Sequence, residues 1–206
     1  TWRPLGRSGA VASVCLGAPP GGAAAPRPLS ACTAEVARSA SDFTQGDEDV
    51  GPELPHLYAL ITQTTRGELA VVDLSSEVGN VLDQDPATPG PNFLPIGAQP
   101  VDIAATPGGT AAFVTVAEAG RPGIYAIPSN RIRPCAADPR RCSEPPPTLS
   151  SWPACHLPSK PGAIVVAFDP AGDGGAPGPC GGAAAQPLGA HGGLRLQAQG
   201  RQRLGV

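Results

Sequence analysis

The chain has 206 residues, of which 27 are Gly and 27 are Pro, so about a quarter of it consists of the two residue types that interrupt regular structure. Its formal net charge of −3 argues against a surface that binds nucleic acid. No apolar run approaches the roughly 18 residues that a membrane-spanning helix needs. The large apolar residues concentrate between positions 57 and 127, so this segment can bury a core and its flanks mostly cannot.

The first residues share features with an export signal. Arg3 and Arg7 supply positive charge, and residues 10–16 form a short apolar stretch of signal-peptide size. Residues 29–32 (Leu-Ser-Ala-Cys) match the bacterial lipobox pattern, in which Cys32 carries the lipid. However, prolines and an arginine separate the apolar stretch from this cysteine.

Three readings of this region therefore stay open: lipidation at Cys32, a cleaved secretory signal and a plain disordered arm. An acidic linker that includes residues 47–49 follows. We predict a signal-like or disordered N-terminal arm over residues 1–54.

The next segment has the pattern of a β-hairpin. Residues 57–64 and 68–74 are two β-rich runs, and the turn at 65–67 ends in glycine, as a tight turn prefers. Both runs are more apolar than strict alternation allows. We therefore expect strands that are covered on both faces, as in stacked sheets.

A second set of strands follows a loop rich in turn residues at 75–95. The runs at 101–105, 111–117 and 123–127 are separated by turns rich in Gly and Pro. This spacing predicts a three-stranded antiparallel meander.

The order of motifs in this meander resembles the YVTN-type β-propeller repeat. In that family a Gly-x-x-Pro start precedes an Ile-Ala strand, a Ser-Pro-Asp-Gly turn and a Tyr-Val-Thr-Asn strand. The corresponding residues here are Gly97, Pro100, Ile103 with Ala104, the Thr-Pro-Gly-Gly turn at 106–109, and the Phe-Val-Thr-Val strand at 113–116. The last strand of the unit is at 124–127.

The match departs from the family at Gly108, where Asp is usual, and at Val116, where Asn is usual. The earlier hairpin fits the same register when Thr62 is aligned with Thr115, 53 residues later. The resemblance covers residues 55–128 and implies an all-β fold built as an incomplete β-propeller of antiparallel blades, because a closed propeller needs about four or more blades.

The remaining chain divides into three segments. Residues 129–161 form an insertion rich in Pro and Cys, and residues 162–169 are one more strand, which ends like the third strand of a blade. Residues 170–206 are rich in Gly, Pro and Ala, and we predict that they form a disordered tail, because so few side chains cannot offset the ordering entropy of the backbone.

Four cysteines in and after the insertion are candidates for disulfide bonds: Cys135, Cys142, Cys155 and Cys180. The pair Cys135–Cys142 closes a short loop and is the first choice, with Cys155–Cys180 as the remainder, but the sequence does not select among the three pairings. A zinc site that uses three of these thiols and His156 is disfavoured, because the chain lacks a Cys-x₂₋₄-Cys knuckle.

No catalytic constellation emerges from the sequence. His56, His156 and His191 lie in separate segments, and none belongs to a nucleophile elbow, a phosphate-binding loop or a zinc-binding helix motif. We predict no catalytic residue, no cofactor-binding residue and no bound metal.

Two groups of carboxylates have competing interpretations. The acidic clusters at 47–49 and at Asp83 and Asp85 could touch calcium, but neither has the spacing of a defined calcium loop, so a solvated acidic linker is the preferred interpretation. Asp73, at a strand end, could face a propeller channel, but a turn cap is the preferred interpretation.

These features favour a non-enzymatic binding or scaffolding module of the bacterial cell envelope, periplasmic, on the outer surface or secreted. Its partner would be an unidentified protein or small molecule, and it would meet a membrane only through a lipid anchor. The rival hypotheses are a fragment of a lactonase-like or dehydrogenase-like propeller enzyme whose catalytic blades are absent, and a truncated, non-functional product.

Overall fold

The part of the chain that the structure describes folds into three antiparallel β-sheets. The computed structural model describes residues 6–17, 25–32, 55–75, 80–85, 90–132, 146–167 and 195–199. The first sheet consists of β1 (Ser8–Gly17), β2 (Ala25–Arg27), β3 (His56–Gln63), β4 (Glu68–Asp73), β5 (Asn80–Val81) and β6 (Leu94–Pro95). The second consists of β7 (Pro100–Ala105), β8 (Ala111–Val116), β9 (Gly123–Pro128) and β10 (Ala154–His156), and the third of β11 (Ala163–Ala167) and β12 (Arg195–Gln199).

Strands that follow one another in the sequence are mostly paired in the sheets. The first sheet has the order β2-β1-β3-β4-β5, with β6 also paired to β4, and the second has the order β10-β9-β8-β7. The predicted hairpin is confirmed as β3 and β4, and the predicted meander is confirmed as β7, β8 and β9. The predicted strand near position 164 is β11.

The larger hydrophobic core lies between the first and second sheets. Leu60 and Leu69 of the first sheet share one buried cluster with Val114 and Ile127 of the second, and all four are fully buried. Alternate residues of β3 and β4 enter this cluster, because successive side chains of a strand point to opposite faces of the sheet and one face lines this core.

The other face of the second sheet packs against the third sheet. Phe113 and Ile124 form a second buried cluster with Ile164 of β11. All six residues of β8 are buried, because this strand is covered on both faces. The all-β class is therefore confirmed, and the stacked antiparallel sheets form an incomplete propeller-like fold.

The first strands of the three sheets lie side by side. Both β1 and β11 contact β7, and β11 also contacts β8. The carboxylate of Asp102 in β7 accepts a hydrogen bond from the backbone N–H of Ile164 at 2.9 Å. The expectation that residues 162–169 end like a third strand of a blade concerns residues 168–169, which lie outside the described residues, and stays a prediction.

Two buried threonines connect their strands to a neighbouring strand, β3 to β1 and β8 to β7. Thr62 in β3 accepts a hydrogen bond from the backbone N–H of Ala10 at 2.8 Å. Thr115 in β8 donates either to the carbonyl of Asp102 at 3.4 Å or to that of Gly162 in front of β11 at 3.0 Å. Both hydroxyls sit at 0% exposure, so each needs such a partner.

The prediction of a disordered N-terminal arm is wrong for residues 8–17 and 25–27. These residues form β1 and β2, and β1 is paired on one side with β2 and on the other with β3. Val14 and Leu16 enter the larger core. The acidic residues 47–49 lie outside the described residues.

Cys32, the candidate for lipidation, lies in a disulfide bond in the structure. Cys32 forms a disulfide bond with Cys15, and both residues are completely buried. A thiol held in a disulfide cannot carry a thioether-linked lipid. This pair was not among the predicted disulfides, because both cysteines were assigned to the signal-like region.

The insertion and the tail also contain structure that was not predicted. Within residues 129–161, β10 completes the second sheet, and Trp152 is buried, with its indole N–H donating to the carbonyl of Pro95 at 2.6 Å. Within the predicted disordered tail, residues 195–199 form β12 on β11. Cys155 is disulfide-bonded.

The other three predicted disulfide cysteines, at positions 135, 142 and 180, lie outside the described residues. The first-choice pairing of Cys135 with Cys142, and the connectivity of this group as a whole, therefore stay predictions.

Gly109 offers a test of the packing between the first and second sheets. It has φ of +71°, and an added Cβ would lie 2.5 Å from the carbonyl oxygen of Arg27 in β2. We expect Gly109→Ala to lower the free energy of unfolding by about 3 kcal/mol, from left-handed backbone strain and steric overlap together.

Gly120 is the matched control for this variant. It has φ of +80°, but an added Cβ would have no atom within 4 Å. Gly120→Ala should therefore lose only about 1 kcal/mol in a urea titration, from backbone strain alone. Equal losses for the two variants would show that the turn at Gly109 does not contact β2.

Candidate binding site

Three segments from two sheets meet at one end of the stack, which we call the loop end. They are the start of β1 (residues 7–9), the β3–β4 turn (64–67) and the approach to β7 (98–101). Together with Ala117 they enclose an open cleft of about 930 Å³, the junction cleft. Its volume is typical of sites for small molecules and short peptides.

The backbone of Arg7 is fixed at the edge of this cleft. Its N–H donates to the Thr65 hydroxyl at 3.1 Å, and its carbonyl accepts from the N–H of Thr64 at 2.7 Å. The residue as a whole is exposed, so a backbone held by hydrogen bonds presents the guanidinium to solvent. Arg7 has no ion-pair partner among the described residues.

Arg66 is the second basic residue of the cleft. Its Nε lies 3.2 Å from a carboxylate oxygen of Glu68, which orients the side chain. No acidic residue is among the described residues that line the cleft. The two lining arginines carry positive formal charge, and the Glu68 carboxylate offsets that of Arg66 through their ion pair.

Gln99 has an unusual backbone conformation. Its φ is +59°, and it is the one non-glycine residue with positive φ in the described part of the chain. It also precedes Pro100, a position that normally favours extended backbone. Its carbonyl accepts from the N–H of Ala117 at 2.9 Å, and Glu118 accepts from the preceding N–H, of Ala98, at 3.3 Å. Strain of this kind is concentrated at functional sites.

Replacement of Gln99 by Gly should change the stability of the fold and the binding of a ligand in opposite directions. Because glycine adopts positive φ without steric cost, we expect Gln99→Gly to raise the free energy of unfolding by about 1 kcal/mol. Chemical denaturation measures this directly. A loss of stability would show that the Gln99 side chain supports the fold rather than a ligand.

A second, smaller cleft of about 750 Å³ lies beside the β8–β9 connection. It is lined by Arg121, Tyr125, Trp152 and His156, with hydroxyls from the 3₁₀ turn Leu149–Ser151 and its neighbour Thr148. Burial raises the pKa of Tyr125 above 10.0, the Glu118 carboxylate raises this pKa further, and Arg121 partly lowers it. We call this the tyrosine cleft.

The raised pKa of Tyr125 predicts a pH dependence. The unfolded chain releases the phenolic proton near pH 10, whereas the folded chain retains it, so this contribution to stability is complete below about pH 10 and is lost as the pH rises further. The chain has only 2 tyrosines, so phenolate absorbance in a Tyr58→Phe variant reports Tyr125 alone. A midpoint at or below 10 would contradict the assignment.

The structure places the histidines and carboxylates of the sequence analysis away from the junction cleft. His56 Nδ1 lies 2.9 Å from Asp73 at the opposite end of the first sheet. Asp73 also accepts from the N–H of Ser75, so its interpretation as a turn cap is confirmed. His156 lines the tyrosine cleft, and His191 lies outside the described residues.

Asp83 has a local structural role. Its carboxylate accepts from the backbone N–H groups of Asp85 and Asn92 at 3.0 and 2.9 Å and closes the loop between them. The described part of the chain has no group of three metal-ligating side chains. The interpretation of this cluster as a solvated linker is therefore corrected, since Asp83 is engaged in the loop.

The cleft residues were not identified from the sequence. Arg7 was assigned to a signal peptide, and Gln99 was noted only as an intervening residue of the Gly-x-x-Pro start.

Comparisons with protein-family models, with curated proteins and with solved structures gave no match to this chain. In the described residues, no helix combines the length and hydrophobicity needed to cross a bilayer.

Proposed function

We propose that the protein is a non-enzymatic binding module, built on a YVTN-type propeller repeat, that holds its ligand in the junction cleft. The observation that carries this proposal is the convergence of three segments from two sheets around a cleft of about 930 Å³. Guanidinium, hydroxyl and amide groups line it, and these groups hold a ligand by hydrogen bonds.

The geometry of the two threonines supports the repeat. The hydroxyls of Thr62 and Thr115, which the alignment of the two units equates, both reach a backbone carbonyl of the neighbouring strand, Ala10 in β1 and Asp102 in β7. Equivalent side chains thus make equivalent contacts in two successive sheets.

We further propose an oxidising compartment, the bacterial cell envelope or the extracellular space. The Cys15–Cys32 bond and the disulfide at Cys155 support this assignment, because structural disulfides persist where thiols are not kept reduced.

The test is a ligand screen with a blocked cleft. Val101 lines the junction cleft and is 39% exposed, so Val101→Trp fills the cleft from an already exposed position. Val165, 58% exposed on β11, gives the matched control Val165→Trp. Ligands are identified as compounds that shift the amide resonances of residues 7–9 and 64–67. We expect these compounds to lose binding to Val101→Trp and to retain binding to Val165→Trp. Binding that survives in this variant would contradict the proposal.

A fragment of a propeller enzyme is the second candidate, and the His56–Asp73 pair favours it. A carboxylate can only accept here, so Nδ1 of neutral His56 is the donor and the proton acceptor is Nε2. An imidazole oriented in this way can act as a general base. Ester or lactone hydrolysis that His56→Ala abolishes would establish this function in place of the first.

A further inference from the structure

The charge of the junction cleft indicates the chemistry of its ligand. Arg7 and Arg66 lie on adjoining segments, and the N-terminal segment is packed so closely on the turn that an added Cβ at Gly6 would lie 2.8 Å from Cγ of Arg66. Guanidinium groups bind carboxylates through paired, charge-assisted hydrogen bonds. The ligand should therefore carry a carboxylate for Arg7, next to Arg66, which already pairs with Glu68.

The rest of the lining distinguishes among acidic ligands. The exposed hydroxyls of Ser8 and Thr65 and the amide of Gln99 offer donors and acceptors between the two arginines. Apolar contact comes from Val101 and the small side chain of Ala98. Among the described residues the lining includes no aromatic ring, and sugar rings are commonly held on such rings, so these groups suit an extended peptide better than a glycan.

We propose that the junction cleft binds an acidic peptide segment of a partner protein, with a glutamate or aspartate carboxylate on Arg7, beside the Arg66–Glu68 pair. This inference rests on the proposed function for the location of the site and adds the class of ligand. The fixed backbone of Arg7 and the hydrogen-bonded loop at Gln99 hold the two walls of the cleft in place before the ligand binds.

The experiment is a titration of the oxidised full-length chain with an oligoglutamate peptide and with oligoglutamine of equal length. We expect oligoglutamate alone to bind, and the affinity to fall steeply as salt rises. Arg7→Gln should weaken binding about tenfold, the effect of losing one charge-assisted interaction. Gln99→Gly should also weaken binding while the fold is retained.

Arg27→Gln is the matched control. Arg27 is exposed on β2, near the opposite end of β1, and its loss changes the net charge by the same amount. An equal effect of both arginine variants, or equal affinity for oligoglutamine, would overturn the proposal. Stronger binding of an acidic oligosaccharide would also overturn it. If neither peptide binds but neutral compounds from the ligand screen do, the proposal of an acidic peptide ligand is overturned, whereas the proposal that the junction cleft binds a ligand is retained.

Discussion

Replacement of Phe113 by Ala is expected to lower the free energy of unfolding by about 3–5 kcal/mol. Phe113 is completely buried in β8, in the cluster that joins the second sheet to Ile164 of the third. The variant loses the transfer free energy of the ring and leaves a cavity that stacked sheets cannot close. Denaturant titration with intrinsic fluorescence from the 2 tryptophans measures the loss.

Two further variants make this result specific. Phe113→Leu keeps much of the volume and should lose less than about 1.5 kcal/mol. Val165→Ala, on the exposed side of β11, should change stability by less than about 0.5 kcal/mol. A Phe113→Ala variant as stable as Val165→Ala would show that the third sheet does not pack on the second.

Loss of the Cys15–Cys32 disulfide should lower the free energy of unfolding by about 3 kcal/mol. The two cysteines are separated by 17 positions, and a bond that closes a loop of about this length restricts the unfolded chain to that extent. Cys15→Ala, Cys32→Ala and the double variant can be compared by chemical denaturation without reductant.

The comparison of single and double variants identifies the bond. Each single variant removes the same disulfide, so the three variants should have nearly equal stabilities. Losses that add in the double variant would mean that Cys15 and Cys32 contribute as separate buried side chains. The disulfide at Cys155 is intact in all three variants and does not affect the comparison.

The elements that local sequence determines were predictable. The β3–β4 hairpin and the β7–β9 meander have apolar runs joined by short turns with Gly, and such turns bring together strands that are close in the sequence. Cover on both faces was predicted for β3 and β4, and Ala59 and Ala70, which lie between their core-facing residues, are buried as well.

Elements that depend on distant partners were not predictable. The strand β1 pairs with β3 across a long intervening segment, so nothing near residues 8–17 distinguishes a buried strand from the apolar part of an export signal. The same is true of β12, whose composition is typical of a tail. The partner of Cys32 likewise depends on the tertiary fold, because cysteine spacing does not fix connectivity.

The residues of the candidate site were even less predictable from local sequence. Arg7 has a role in the cleft only because tertiary hydrogen bonds hold it on the β3–β4 turn. At Gln99 the local rule gives the opposite of the observed conformation, since a residue before proline favours extended backbone. Tertiary contacts to Ala117 override that preference.

The most direct test of the binding site is hydrogen exchange of the full-length chain with and without an oligoglutamate peptide. Before peptide is added, the amides of β1 should be protected as strongly as those of β3, its hydrogen-bonded partner. On binding, exchange should slow together at residues 6–9, 64–67 and 97–101. Unprotected amides in β1, or peptide-dependent protection confined to other segments, would contradict a site built at the junction of the two sheets.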